Sequence, residues 1–125
     1  MQPIIKKQDL SNEFYTDEQC YIVELSNSTD DPDLSIARAR VAPGVTTRWH
    51  RLSNISERYY ILQGMARVEI GGLAAQELNP GDIAIIPPLC HQRITNVGSD
   101  DLIFLALCTP PFSTDSYQDI EENLS

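Results

Sequence analysis

The sequence predicts an all-β protein, an antiparallel jelly-roll barrel or sandwich formed as one domain over residues 1–125. Three observations carry that reading. Short β-rich runs recur along the chain, each closed by turn-forming residues. Gly71-Gly72 stands between two alternating runs, a two-residue hairpin signal. No window sets apolar residues at helical spacing behind a cap, apart from a weak one over 114–123.

In chain order, the predicted strands begin with residues 19–25 and 34–41, the second ending at Pro43-Gly44. Residues 58–62 run to Gln63-Gly64, residues 66–70 to Gly71-Gly72, and residues 74–78 to Asn79-Pro80-Gly81-Asp82. Residues 83–86, 91–95 and 102–108 complete the set, with Asn96-Val97-Gly98 between the last two. The run 102–107 is apolar on both faces, whereas Arg67-Val68-Glu69-Ile70 alternates. A strand apolar on both faces is covered on both sides. In so small a domain the outer cover is expected to be a second subunit, so a homodimer is predicted.

The chain carries 9 basic and 18 acidic residues, a net charge of −9, which argues against nucleic acid and anionic membranes as partners. Lys6 and Lys7 are the only lysines, and six of the seven arginines lie between Arg38 and Arg67. Acid collects at Asp30-Asp31-Pro32-Asp33 and in the tail over 113–125, and both runs are expected to be solvated surface. No stretch has the length and apolarity of a membrane span. The first residues lack a signal peptide's apolar core, so a cytoplasmic protein is expected. Cys20, Cys90 and Cys108 are widely spaced and form no C-x-x-C pair. They are read as reduced thiols rather than a disulfide framework or zinc knuckle.

Two segments carry the chemistry. The first runs from Gly44 through His50, Leu52 and Glu57 to Gly64, and the second from Gly81 through Pro87, Leu89 and Gln92 to Asn96. Together they resemble the paired motifs of the cupin superfamily, G-x5-H-x-H-x3,4-E-x6-G and G-x5-P-x-G-x2-H-x3-N. Leu52 replaces the second histidine of the first pattern; Leu89 and Gln92 replace a glycine and a histidine of the second. The segment Thr109-Pro110-Pro111-Phe112 is similar to the ending of small cupins of the sugar-phosphate isomerase-like group. Gly44, Gly64, Gly81, Pro87 and Asn96 are read as turn-makers without a chemical role. The resemblance implies a double-stranded β-helix holding a divalent metal ion on His50, Glu57 and Gln92.

Strand parity sharpens this assignment. Side chains two apart share a face, so Glu57, Tyr59 and Ile61 point together, as do Gln92 and Ile94, while His91 points away with Arg93 and Thr95. Imidazole, carboxylate and amide oxygen suit Mn, Fe, Ni or Zn. The same residues also admit a metal-free His50–Glu57 pair, a Gln92 that merely satisfies a polar neighbour, and a Tyr59 that fills the core. Arg38 and Arg40 share a face, expected to be the outer one because Ala37, Ala39 and Val41 suit the interior. Arg48, beside the first motif, is the candidate for a substrate anion.

The function expected from this resemblance is a metal-dependent enzyme acting on a small oxygen-rich metabolite. Proton transfer next to a carbonyl, as in an isomerase, is favoured, with Glu57 or Tyr59 as the proton-transfer group. Dioxygenase chemistry, a non-catalytic small-molecule binding module, and a metal-free isomerase or epimerase with His50 as base are the alternatives.

Overall fold

Alternating apolar and polar side chains make strands that bury one face. The computed structural model, which describes residues 1–124, assembles them into two antiparallel sheets. In chain order the strands are β1 (Phe14–Tyr15), β2 (Tyr21–Ser26), β3 (Ser35–Val41), β4 (His50–Leu52), β5 (Ser56–Gln63) and β6 (Ala66–Ile70). Then follow β7 (Gln76–Leu78), β8 (Ile83–Ile86), β9 (Gln92–Asn96), β10 (Leu102–Thr109) and β11 (Tyr117–Asp119). One sheet has the order β1-β2-β3-β10-β5-β8 and the other β11-β4-β9-β6-β7. Val41, Ile61, Ala66, Ile94 and Leu102 form the centre of the core that the facing sheets enclose. The late strand β10 lies between β3 and β5, the long-range pairing of a jelly roll. The all-β expectation holds.

Every predicted strand forms, with ends shifted by at most two residues. Three strands, β1, β4 and β11, were not expected, because two or three residues are too few to show a period. Asp115, Asp119 and Glu122 of the acidic tail are exposed, as expected of solvated surface, but Tyr117–Asp119 also pairs with His50–Leu52 as an edge strand, followed by a one-turn helix at Glu121–Leu124. Ser125 lies outside the described residues.

The Gly71-Gly72 hairpin also differs from expectation. The chain turns there, with Leu73 N–H donating to Ile70 O, but the β6–β7 ladder closes only at Val68 and Gln76. Gly71 N–H instead donates to His91 O, and a Cβ at Gly71 would stand 2.8 Å from Cys90 Sγ. With φ at +53°, the position favours glycine on two counts.

The outer face of the six-stranded sheet explains the arginines. Ala37 and Ala39 face inward, so Arg38 and Arg40 point outward as expected. Glu13 crosses over them, bonding Arg40 through both carboxylate oxygens at 2.7 and 3.1 Å and Arg38 at 3.3 Å. Farther along this face Tyr60, Leu62, Ile83 and Ile85 are exposed, Ile85 to 69%. No helix of the described residues is long and apolar enough to cross a membrane.

Candidate functional site

Between the sheets lies a cavity of about 440 Å³. Both sheets contribute to its lining. β4 supplies His50, β5 supplies Glu57 and Tyr59, and β11 supplies Tyr117. Inward parity on β5 holds as predicted, with Glu57, Tyr59 and Ile61 all buried.

His50 is 4% exposed. Its Nδ1 lies 2.8 Å from the carbonyl oxygen of Arg48, and because a carbonyl can only accept, Nδ1 carries the proton. Nε2 is thereby left to face Glu18, whose Oε2 is 3.6 Å away. The imidazole stacks on Tyr117 at 5.2 Å between ring centres. This arrangement holds the ring in one orientation with Nε2 turned toward the Glu18 side.

Glu57 is the acidic counterpart. Its Oε1 accepts from Gln92 Nε2 at 2.9 Å, and the Cys108 thiol approaches Oε2 at 3.8 Å. Burial away from water pushes the Glu57 carboxyl above the ordinary carboxylate range, and Glu18 adds to that rise. His50, the Gln92 amide and the Cys108 thiol pull the other way without cancelling it. Glu57 therefore keeps its proton to higher pH than a solvated carboxyl.

Gln92, 1% exposed, lies behind this wall rather than along the cavity. It stands opposite His50 in the β4–β9 register. Its Oε1 accepts from the Tyr59 hydroxyl while its Nε2 donates to Glu57. Burial raises the Tyr59 phenol well above its ordinary range, and the charge of Glu57 adds to the rise. Tyr59 thus stays protonated, and its O–H is committed to the amide. His91 points out of the site, as parity predicts, and its ring meets Trp49 edge-on at 5.4 Å.

The expected metal ligands converge, but their chemistry is spoken for. Both ends of the Gln92 amide are engaged, and it turns N–H rather than oxygen toward Glu57. Among the described residues no three His, Cys, Asp or Glu side chains are grouped to hold a metal ion. His50, Glu57 and Gln92 would present three donor atoms to a divalent Mn, Fe, Ni or Zn ion only with the Gln92 amide turned over, its oxygen being engaged by Tyr59.

Arg48 takes a different place from the one expected. Its guanidinium bonds Asp119 at 2.6 and 3.4 Å, and it does not line the cavity. Glu18 and Tyr117 are the site residues that spacing did not reveal. Glu18 comes from the turn before β2, where its carbonyl accepts from Arg48 N–H, and Tyr117 comes from the tail. The carboxylate of Glu18 also takes the Cys20 thiol proton donor at 3.2 Å.

Known proteins share this architecture. The structure of KdgF from Halomonas sp. superposes with a TM-score of 0.76 at 18% identity, covering 87% of this chain and 96% of that one. A Lactobacillus farciminis oxalate decarboxylase–formate complex gives a TM-score of 0.76 at 23% identity, covering 90% of this chain and 34% of that one. In sequence, the oxalate decarboxylase OxdC of Bacillus subtilis (strain 168) is 26% identical over 107 residues. The match takes in 82% of this chain, which spans only 27% of that relative's length. The profile of the cupin domain covers residues 37–108, which take in both motif segments, 44–64 and 81–96. With β4 to β9 wholly inside that match, which spans more than half of the sequence, the chain belongs to the cupin domain family.

Proposed function

We propose that this cupin is an enzyme that moves a proton next to the carbonyl of a small oxygen-rich metabolite, as an isomerase does. The observation that carries the reading is that one cavity is lined both by an imidazole held through Nδ1 and by a buried carboxyl that resists ionisation. An imidazole able to take a proton at Nε2 beside a carboxyl that holds its own divides the roles of base and acid.

His50 Nε2 takes the proton from the carbon beside the carbonyl. The C–H electron pair forms the new C=C bond, and the carbonyl π pair moves onto oxygen, which receives the Glu57 proton. The imidazolium then faces the Glu18 carboxylate, 3.6 Å from Nε2. Reprotonation at the neighbouring carbon or on the other face returns both groups to their starting states. Tyr59 and Gln92 position Glu57 through their hydrogen-bond chain rather than touching substrate.

The reading includes a homodimer, supported by the exposed apolar side chains on the outer face of β5 and β8. The three free cysteines support a reducing compartment such as the cytoplasm. The test is proton–deuterium exchange, followed by NMR in D2O, on a panel of small hydroxyketones and keto esters. Exchange above the buffer rate, lost about a hundredfold or more in His50→Asn and Glu57→Gln, is the expected result. A folded protein that exchanges nothing in the panel, or a His50→Asn variant that keeps the full rate, sinks the reading.

A further inference from the structure

The cavity that holds His50 and Glu57 is one-sided in charge. Asp17, Glu18, Glu24, Glu57 and Asp119 all line it, yet among the described residues no lysine or arginine does. Asp119 is neutralised by Arg48 from outside. Glu18 remains, half-buried and facing the imidazole. The one positive charge this wall can generate, the imidazolium of His50, is already matched by that carboxylate. Much of the remaining lining is carbon, from Ile22, Ala37, Ala39, Phe104 and Phe112, with uncharged polar groups such as Asn27 and Thr47 among it.

We infer that the cavity selects uncharged molecules with an apolar portion and rejects their anionic counterparts, carboxylates and phosphates among them. The inference rests on the proton-transfer reading only in naming the bound class as carbonyl compounds. Coulomb's law gives the scale: a negative charge about 6 Å from the Glu18 carboxylate, at an effective dielectric constant of about 20, binds roughly a hundredfold more weakly than a neutral isostere. Solvent at the cavity mouth reduces this, so a gap of at least about tenfold is expected. No basic side chain is placed to offset it, in contrast to the Arg or Lys clamps that recognise carboxylate and phosphate.

Methyl acetoacetate and acetoacetate are the probes, the same carbon frame as ester and as anion. Ligand-observed saturation-transfer NMR should give at least tenfold tighter binding of the ester at neutral pH and low salt. Glu18→Gln, checked for a native melt, should narrow the gap several-fold by strengthening the anion. Glu24→Gln at the exposed mouth provides a second variant, expected to narrow it less. Equal or tighter binding of acetoacetate overturns the inference. So does a gap that neither variant changes, or binding of neither compound. If the ester binds but no proton exchanges, the proton-transfer reading falls while the selectivity stands.

Discussion

Gln92 Nε2 lies 2.9 Å from Glu57 Oε1, and the opposite end of the same amide is held by the Tyr59 hydroxyl. With the Tyr59 hydroxyl donating to its oxygen and its nitrogen donating to Glu57, the amide is engaged at both ends. Gln92→Leu should leave the Tyr59 hydroxyl and one Glu57 oxygen without partners inside the core. The expected cost is about 1–3 kcal/mol of stability per orphaned group, read by urea unfolding. Proton exchange should fall further than stability explains, with its pH profile displaced, because Glu57 loses an amide that favours its ionised form. Gln92→Glu, checked alongside, should not restore the wild-type profile. An unchanged profile in a folded Gln92→Leu protein counts against the positioning role.

Glu57 ties stability to pH. Its folded pKa is raised above the ordinary 4.5, so between those values the folded state binds more protons than the unfolded one. Stability from this group is full below about 4.5 and is lost as pH rises through the folded value. Glu57→Gln removes the titration. The variant should therefore gain on the parent as pH climbs from 4.5 toward neutrality, measured by urea unfolding at stepped pH. A stability difference that stays flat, or that grows in the parent's favour, contradicts a raised Glu57.

Metal addition separates the proton-transfer site from a metal centre on His50, Glu57 and Gln92. Binding at a hundred times Kd would add about 2.7 kcal/mol, which moves the melt of a domain this size by several degrees. With Mn, Fe, Ni or Zn, and with chelator, the expected shift is below about 1 °C. A reproducible shift of several degrees that disappears in His50→Asn would put a metal at the site and replace the acid–base pair.

His91 gives a control. Its ring packs edge-on against Trp49 on the far side of the strand from Gln92. His91→Ala should cost about 0.5–1.5 kcal/mol of stability and leave exchange kinetics within about twofold. Loss of activity from a stable His91→Ala protein would reverse the register assigned to β9.

The outer face of β5 and β8 predicts self-association. Light scattering at micromolar concentration should give about twice the 14.0 kDa chain mass. Ile85→Asp, on a side chain 69% exposed in the single chain, should shift the population toward monomer without lowering exchange activity. A parent that scatters only as a monomer removes the dimer.

Period-two alternation made the longer strands legible, and parity on β5 and β9 placed Glu57, Tyr59 and Gln92 inward and His91 outward before any coordinates. What parity could not provide was the direction of the Gln92 amide, because that depends on the Tyr59 hydroxyl arriving from another strand. Glu18 was hidden for a related reason. It belongs to a turn whose position comes from backbone pairing with Arg48, and a turn has no period to read. Arg48 looked free because its partner, Asp119, lies in a segment that read as solvated acid. Local spacing carries faces; it does not carry which distant segment closes over them.

That closing segment governs the site more than its length suggests. β4 meets β9 at a single register pair, His50 with Gln92, but meets β11 along its whole length. The same short strand stacks Tyr117 on the imidazole and clamps Arg48, 71 residues upstream of Asp119. The proposed base is thus seated by a short edge strand from the end of the chain. Two cupins with identical motifs but different final strands would hold the same histidine at different angles, and the chemistry would diverge through a part of the chain that contains none of the reacting atoms.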